Sequence, residues 1–374
     1  MTKKPAGLKD FAMSEETNPY FSDSYEQARA QFKKAALART DCTFSTYEHP
    51  SEIDDNGAPL STDVAWLGPK DAKKILVLSS ALHGAEGPVG SAIQLQALTE
   101  QLDESLADDT AIVFIHAINP YGFKYMKRGN EDNIDLNRNF LDWLKDLPKE
   151  HFLTHRVQSL LAVDNWNWPK TLFKGASILL RHGMRALQAS LQQGQYSRPD
   201  GLFYGGDKPA WSNEVMRSIA KECTEHAEKI IHVDIHSGLG KRGEGVLLVS
   251  APSQSEIGQR AKKIWGEISS TVDGKSVSAH VSGSIDQVFN DAAAGKNCEI
   301  NVAALEFGTL SPFSVLKALA YDNWVSRKGL KGEFQAKARA YMSDAFSPND
   351  PVWQIKTLAK GSKVFSDSLQ SLKL

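Results

Sequence analysis

The sequence predicts an α/β fold, a sheet covered on both faces by helices. Three observations predict it. Short apolar runs recur along the chain, stretches of helical character separate most of them, and Gly, Asn or Pro turn signals close several. The composition fits: 374 residues, 41% hydrophobic and 24% charged, an ordinary globular balance. No internal repeat or low-complexity tract interrupts it. We expect one domain over residues 1–374, with a mostly helical insertion at about 141–209 that breaks the strand-helix rhythm and walls the site.

The elements follow in chain order. Residues 24–40 read as a helix, because Tyr25, Ala28, Phe32, Ala35 and Ala36 share a face. Residues 74–82 (KILVLSSAL) read as a buried strand, ended by Gly84 and Gly87. A helix is expected over 90–106 and a second buried strand over 111–118, closed by Asn119-Pro120 and Gly122. Further strands are expected at 230–236, 245–250 and 302–307. Helices are expected at 212–228 and 255–269, and one long helix at 314–343.

Charge and cysteine usage narrow the function classes. Lys+Arg is 43 and Asp+Glu is 45, a formal net charge of -2. With no basic block, there is no electrostatic reason to expect nucleic acid. Cys42, Cys223 and Cys298 are odd in number and far apart, which argues against a disulfide framework or a thiolate zinc site. The first residues lack the apolar segment of a secretory signal, and no apolar run reaches spanning length. A soluble, cytoplasmic protein with no membrane partner is the expectation.

The candidate chemistry gathers at strand ends, where open α/β sheets place their sites. The first apolar strand runs into His83-Gly84-Ala85-Glu86-Gly87. An imidazole and a carboxylate three residues apart can face one side, and both are good zinc ligands. The strand at 230–236 ends in His236-Ser237-Gly238, a candidate third ligand whose alternative reading is a hydrogen-bonded core histidine. Two His and one Glu leave a fourth position for water, the pattern of a catalytic zinc. Arg128 and Arg138 are guanidinium forks suited to a carboxylate or an oxyanion, and Asn137 adds an amide donor. Glu306 ends the apolar strand 302–307. A carboxylate there needs a partner or a function, and the functional reading is a general base.

The order His-x-x-Glu, Asn-Pro-x-Gly, Arg, Asp-Leu-Asn-Arg-Asn-Phe, a strand ending in His-Ser, Gly-Ser-Ile-Asp and a strand ending in Glu resembles the zinc carboxypeptidases of the carboxypeptidase A and B type. More closely, it resembles a bacterial branch of that superfamily. The resemblance spans residues 75–308. It implies a three-layer α/β/α fold around a mixed, mostly parallel sheet, and one zinc ion held by His83, Glu86 and His236. It implies that Arg128 polarises the scissile carbonyl and that Asn137 and Arg138 bind a free carboxylate. Glu306 would be general base and acid, and Ile285 would form an apolar pocket floor. The implied activity is a metallopeptidase cleaving an amide beside a free carboxylate, on a peptide or acyl amino acid substrate. Two rivals stand beside it. One is an N-acyl amino acid deacylase of the aspartoacylase or succinylglutamate desuccinylase kind, and the other an inactive zinc-binding protein. One departure is clear: the family's mobile tyrosine before Gly-Ser-Ile-Asp is missing, which leaves the role to His280, to Tyr204 or to no residue.

Two other patterns mislead. Gly238-Leu-Gly240-Lys-Arg-Gly243 fits GxGxxG, yet an apolar run follows where a dinucleotide fold needs a helix. Asp135-x-Asn137-x-Asn139 begins like a calcium loop, but Phe140 stands where that loop needs glycine.

Overall fold

The computed structural model describes residues 18–102, 106–274, 276 and 281–373. Among these residues the chain forms α1 (Tyr25–Leu37), β1 (Cys42–Ile53), β2 (Pro59–Leu67), β3 (Lys74–Ser79), α2 (Gly87–Glu100), β4 (Thr110–His116) and α3 (Pro120–Tyr125). Residues 141–209 contain α4 (Thr154–Leu161) and α5 (Trp168–Gln192). Next come α6 (Trp211–Cys223), β5 (Lys229–Arg242), β6 (Gly245–Val249), α7 (Glu256–Trp265), β7 (Ser269–Ser270), α8 (Asp286–Ala292) and β8 (Glu299–Gly308). Three helices close the chain: α9 (Pro312–Arg327), α10 (Glu333–Phe346) and α11 (Pro351–Leu372).

The strands join in one sheet of order β1-β2-β4-β3-β5-β8-β6-β7. The central run β4, β3, β5 and β8 is parallel, and β1, β2 and β6 join antiparallel to their inner neighbours. The fold is therefore α/β with a mixed, mostly parallel sheet. Both faces are buried because the inner strands are mostly apolar. Leu76, Leu78, Ile112, Phe114, Ile231 and Val233 face one core with α1, α2, α7 and α11. Their alternates Ile75, Val77, Val113, Ile115 and Ile230 face the other, with α6 and α8. Each fully buried side chain of this size contributes about 1.5–3 kcal/mol.

Two expectations change. The β1–β2 hairpin was not predicted, because β1 (CTFSTYEHPSEI) has no continuous apolar run. It is an edge strand with mostly exposed or half-buried residues, where Pro50 costs no ladder bond. The long helix expected over 314–343 is two helices, α9 and α10. Gly329 (φ 61°), just past the Lys328 cap, ends α9 in the left-handed conformation, and Gly332 (φ 62°, ψ -128°) caps the start of α10.

Two core histidines make the fold acid-sensitive. His116 is buried, stacked on Phe32 at 4.7 Å with Nε2 2.9 Å from Ser91 Oγ. Burial pushes it down to about 4 from 6.5, against the pull of Asp63. Burial likewise holds His232 at about 4. Between 6.5 and 4 the unfolded chain binds these protons and the folded chain does not, so stability falls on acidification. The loss is about 1.4 kcal/mol per pH unit per histidine at most. Denaturant midpoints measured across this window should drop, and drop less steeply in His116→Gln.

Candidate metal centre

The site forms where β3 and β8 end beside the bulge that interrupts β5 after Ser237. In register, His236 on β5 stands directly beside Glu306 on β8. Past β3 the chain enters a single 3-10 turn, Gly84–Glu86, which begins at His83 and brings Glu86 back toward β5. This turn packs against the backbone of α3 at a distance only glycine permits. A Cβ on Gly84 would lie 1.9 Å from the Gly122 carbonyl carbon and 2.2 Å from the Phe123 nitrogen. Both are backbone atoms, so the turn itself must move. Gly84→Ala is expected to cost about 1–3 kcal/mol and to lower metal stoichiometry by displacing Glu86. Thermal unfolding and metal analysis together test this.

His83, Glu86 and His236 converge. All three are buried, and one ligand atom from each lies within 4.8 Å of the others. His83 Nδ1 is 2.9 Å from Glu86 Oε1, and His236 Nδ1 is 3.0 Å from Glu86 Oε2. The outward nitrogens each meet an acid. His83 Nε2 is 3.1 Å from Asp135 Oδ1, and His236 Nε2 is 2.5 Å from Asp234 Oδ2, close but out of hydrogen-bond line. A carboxylate on Nε2 holds the proton there and leaves Nδ1 free to bind metal. The set of two imidazoles and one carboxylate, with an acid beside the Nε2 of each imidazole, fits zinc.

The electrostatics also call for a cation. Burial would raise the Glu86 carboxyl, but His83 and His236 hold it down to about 2. Burial would lower His236, yet Asp234 and Glu86 push it well above its ordinary value. A proton on His236 thus supplies positive charge where a metal ion would. The Ser237 N–H adds a donor to Glu86 Oε2 at 3.0 Å.

Glu306 is buried, and its Oε1 accepts the Leu239 N–H at 2.9 Å. Burial and the nearby Glu86 push it up to about 7. That donor comes from the GLGKRG stretch, which is a bulge at the end of β5 with Gly238 and Gly240 at φ 122° and 110°. The glycine pattern thus shapes the base's surroundings rather than a nucleotide loop.

Arg128 donates from Nε to Asp135 Oδ2 at 2.9 Å, lies 3.7 Å from Glu86 Oε1 and rests on the Phe203 ring at 5.2 Å. Arg138 is buried. Its terminal nitrogens donate to the carbonyls of Asn137 and Gln192, and its Nε has no hydrogen-bond partner. These bonds use two of its five N–H groups, and Arg138 lines the cavity of the site. The Asn137 amide oxygen accepts the Ile285 N–H at 3.0 Å, which leaves its NH₂ as donor.

A cavity of about 480 Å³ contains the metal trio, Arg128, Asn137, Arg138 and Glu306. That size suits a small molecule. Its wall is apolar: Leu187 and Leu191 from α5, Val315 and Leu319 from α9, with Leu239 and Phe346. Two expected residues are not there. Ile285 is buried in the core with Val288 and Phe289, and Val281, Ser284 and Asp286 line the cavity instead. The start of α8 turns Ile285 inward, so its contribution is the backbone bond to Asn137. Tyr204 packs in the same core beside Ile134 and Leu136, and its neighbour Phe203 lines the cavity. His280 lies outside the described residues.

Sequence reasoning missed Asp135 and Asp234. Asp135 joins His83 to Arg128 and lies 3.9 Å from Arg138. Burial would raise its carboxyl, but Arg128, Arg138 and His83 hold it well below the carboxylate range. Its only signal was an acid set between two arginines. Asp234 had a clearer one: two residues before His236 on a strand, it must share that face.

The family model described as "Protein of unknown function (DUF2817)" matches residues 21–360. No curated protein matches the sequence. Among solved structures, carboxypeptidase A from Helicoverpa armigera aligns at 15% identity and TM-score 0.46, covering 87% of this chain and 74% of that one. Bovine thrombin-activatable fibrinolysis inhibitor, solved with tick carboxypeptidase inhibitor, aligns at 12% identity and TM-score 0.48, covering 96% and 98%. A succinylglutamate desuccinylase from Silicibacter sp. aligns at 14% identity and TM-score 0.36, covering 79% and 70%.

Proposed function

We propose, from the premise that this chain belongs to the DUF2817 family, that it is a zinc-dependent metallohydrolase of carboxypeptidase type, cleaving an amide bond beside a free carboxylate. One observation carries the reading. His83, Glu86 and His236, distant in sequence, bring ligand atoms within 4.8 Å of one another, with Glu306 beside His236 in register.

His83, Glu86 and His236 would hold one zinc ion. When bound, zinc supplies a Lewis acid that polarises a carbonyl and acidifies a water. The remaining work falls to side chains. Glu306, raised to about 7, takes a proton from the attacking water and returns it to the leaving amine. Arg128 directs its guanidinium at the developing oxyanion. Asn137 and Arg138 offer N–H donors to the substrate carboxylate. The apolar wall accepts the neighbouring side chain or acyl group and excludes water.

The deacylase reading is supported by one specific feature. The C-terminal half of α5 covers the cavity, and the Gln192 carbonyl is tied to Arg138. A compact acyl amino acid needs no groove for a polypeptide. The test is metal analysis with hydrolysis of a mixed panel of C-terminal peptides and N-acyl amino acids. Turnover of either class with one zinc per chain supports the hydrolase. A zinc-loaded protein that cleaves neither sinks it.

A further inference from the structure

Helix α5 carries a feature unrelated to the metal. Among its 25 residues are Lys170, Lys174, Arg181 and Arg185 and no acid, in a chain whose net charge is -2. Gly183 (φ 79°, ψ 166°) interrupts it. In residues 168–182, Phe173 and Leu180 are seven apart and therefore within about 20° of each other around the axis. Phe173 is 81% exposed and Leu180 is 87% exposed. Lys170, Lys174 and Arg181 fall on the adjoining strip, also exposed. Ile178 is buried on the protein side, in one core with Val157 and Leu161 of α4. The helix is thus held by one face and presents a bare apolar strip with a basic flank on another.

We propose that this face of α5 docks on an anionic lipid surface. Large exposed apolar side chains beside lysines and arginines are the pattern of a helix lying in a membrane interface. Among the described residues no helix is long and apolar enough to cross a membrane, and surface docking requires none. A second copy of the chain is a poor occupant. A two-fold contact sets the same strip against itself, and these like charges would meet with no acid on the helix to offset them. Duplex nucleic acid would satisfy the charges but keeps its bases in its own stack and gives Phe173 and Leu180 nothing to bury against, and a single strand could stack on Phe173 but not on Leu180. Met184, just past the break, is exposed and also lines the cavity. Docking therefore holds the cavity mouth at the lipid boundary. The proposal does not rest on what the site hydrolyses.

The test is sedimentation of the full chain with phosphatidylcholine vesicles, with and without phosphatidylglycerol, at low and high salt. Wild type should bind the phosphatidylglycerol vesicles about tenfold or more over phosphatidylcholine alone, and salt should weaken this. The double variant Phe173→Ser, Leu180→Ser should lose about tenfold or more. The triple variant Lys170→Gln, Lys174→Gln, Arg181→Gln should lose the preference for anionic lipid. Circular dichroism checks that each variant is folded. Equal binding to both vesicle types overturns the proposal, as does unchanged binding by folded variants. So does a lipid-free wild type that is dimeric while the double variant is monomeric, or tighter binding to single-stranded RNA than to vesicles.

Discussion

Glu306→Gln is expected to lower kcat for amide hydrolysis by about 10²–10⁴-fold, with zinc content unchanged. The substitution keeps the size of the side chain and its acceptor for the Leu239 N–H. It removes only the carboxylate that takes and returns a proton. Glu306 is suited to both steps because burial and Glu86 push it up to about 7, close to working pH. It is not among the converging metal ligands, so metal analysis should match wild type. A folded, zinc-loaded variant as active as wild type would reassign the base. A variant that loses zinc would mean that Glu306 belongs with the ligands.

The legible parts of this fold and site were those written into contiguous residues. Apolar strands β3, β4, β5 and β8 announce themselves because both their faces are buried; His83 and Glu86 lie just past β3, Glu306 near the end of β8, and His236 where the regular pairing of β5 gives way to its bulge. The edge hairpin was illegible because β1 is mostly polar and β2 carries Asp63, whose partner Arg29 on α1, at 2.6 Å, is distant in sequence. Neither leaves a periodic trace. Helix α11 was hidden by its own dilution, since Gly361 interrupts its apolar face where it packs on Ile93. Ile285 failed as a pocket residue for a related reason. Motif order located its loop, but which side chain of Gly-Ser-Ile-Asp points into the cavity is set by where α8 begins.

Asp135 is where sequence said least and geometry says most, and Asp135→Asn is expected to weaken zinc binding about 10–100-fold. The carboxylate accepts from the Asn137 N–H at 3.0 Å, meets His83 Nε2 at 3.1 Å and takes Arg128 Nε at 2.9 Å. An asparagine can accept on one atom only. Its NH₂ would face either the His83 N–H or the Arg128 N–H, donor against donor. The variant also leaves two guanidinium groups without their shared counter-charge, which should cost on the order of 3–5 kcal/mol at neutral pH. The sign with pH follows from the depressed carboxyl. Its contribution is present above the unfolded value of 3.8 and is lost as pH falls through the lower folded value, so wild type and variant should converge in acid. Competitive metal titration and urea unfolding at neutral and acid pH separate the two roles. If stability drops but zinc affinity holds, the 3-10 turn alone orients His83, and Asp135 serves only the arginines. If both drop, one buried carboxylate couples the metal ligand to the groups that hold the substrate.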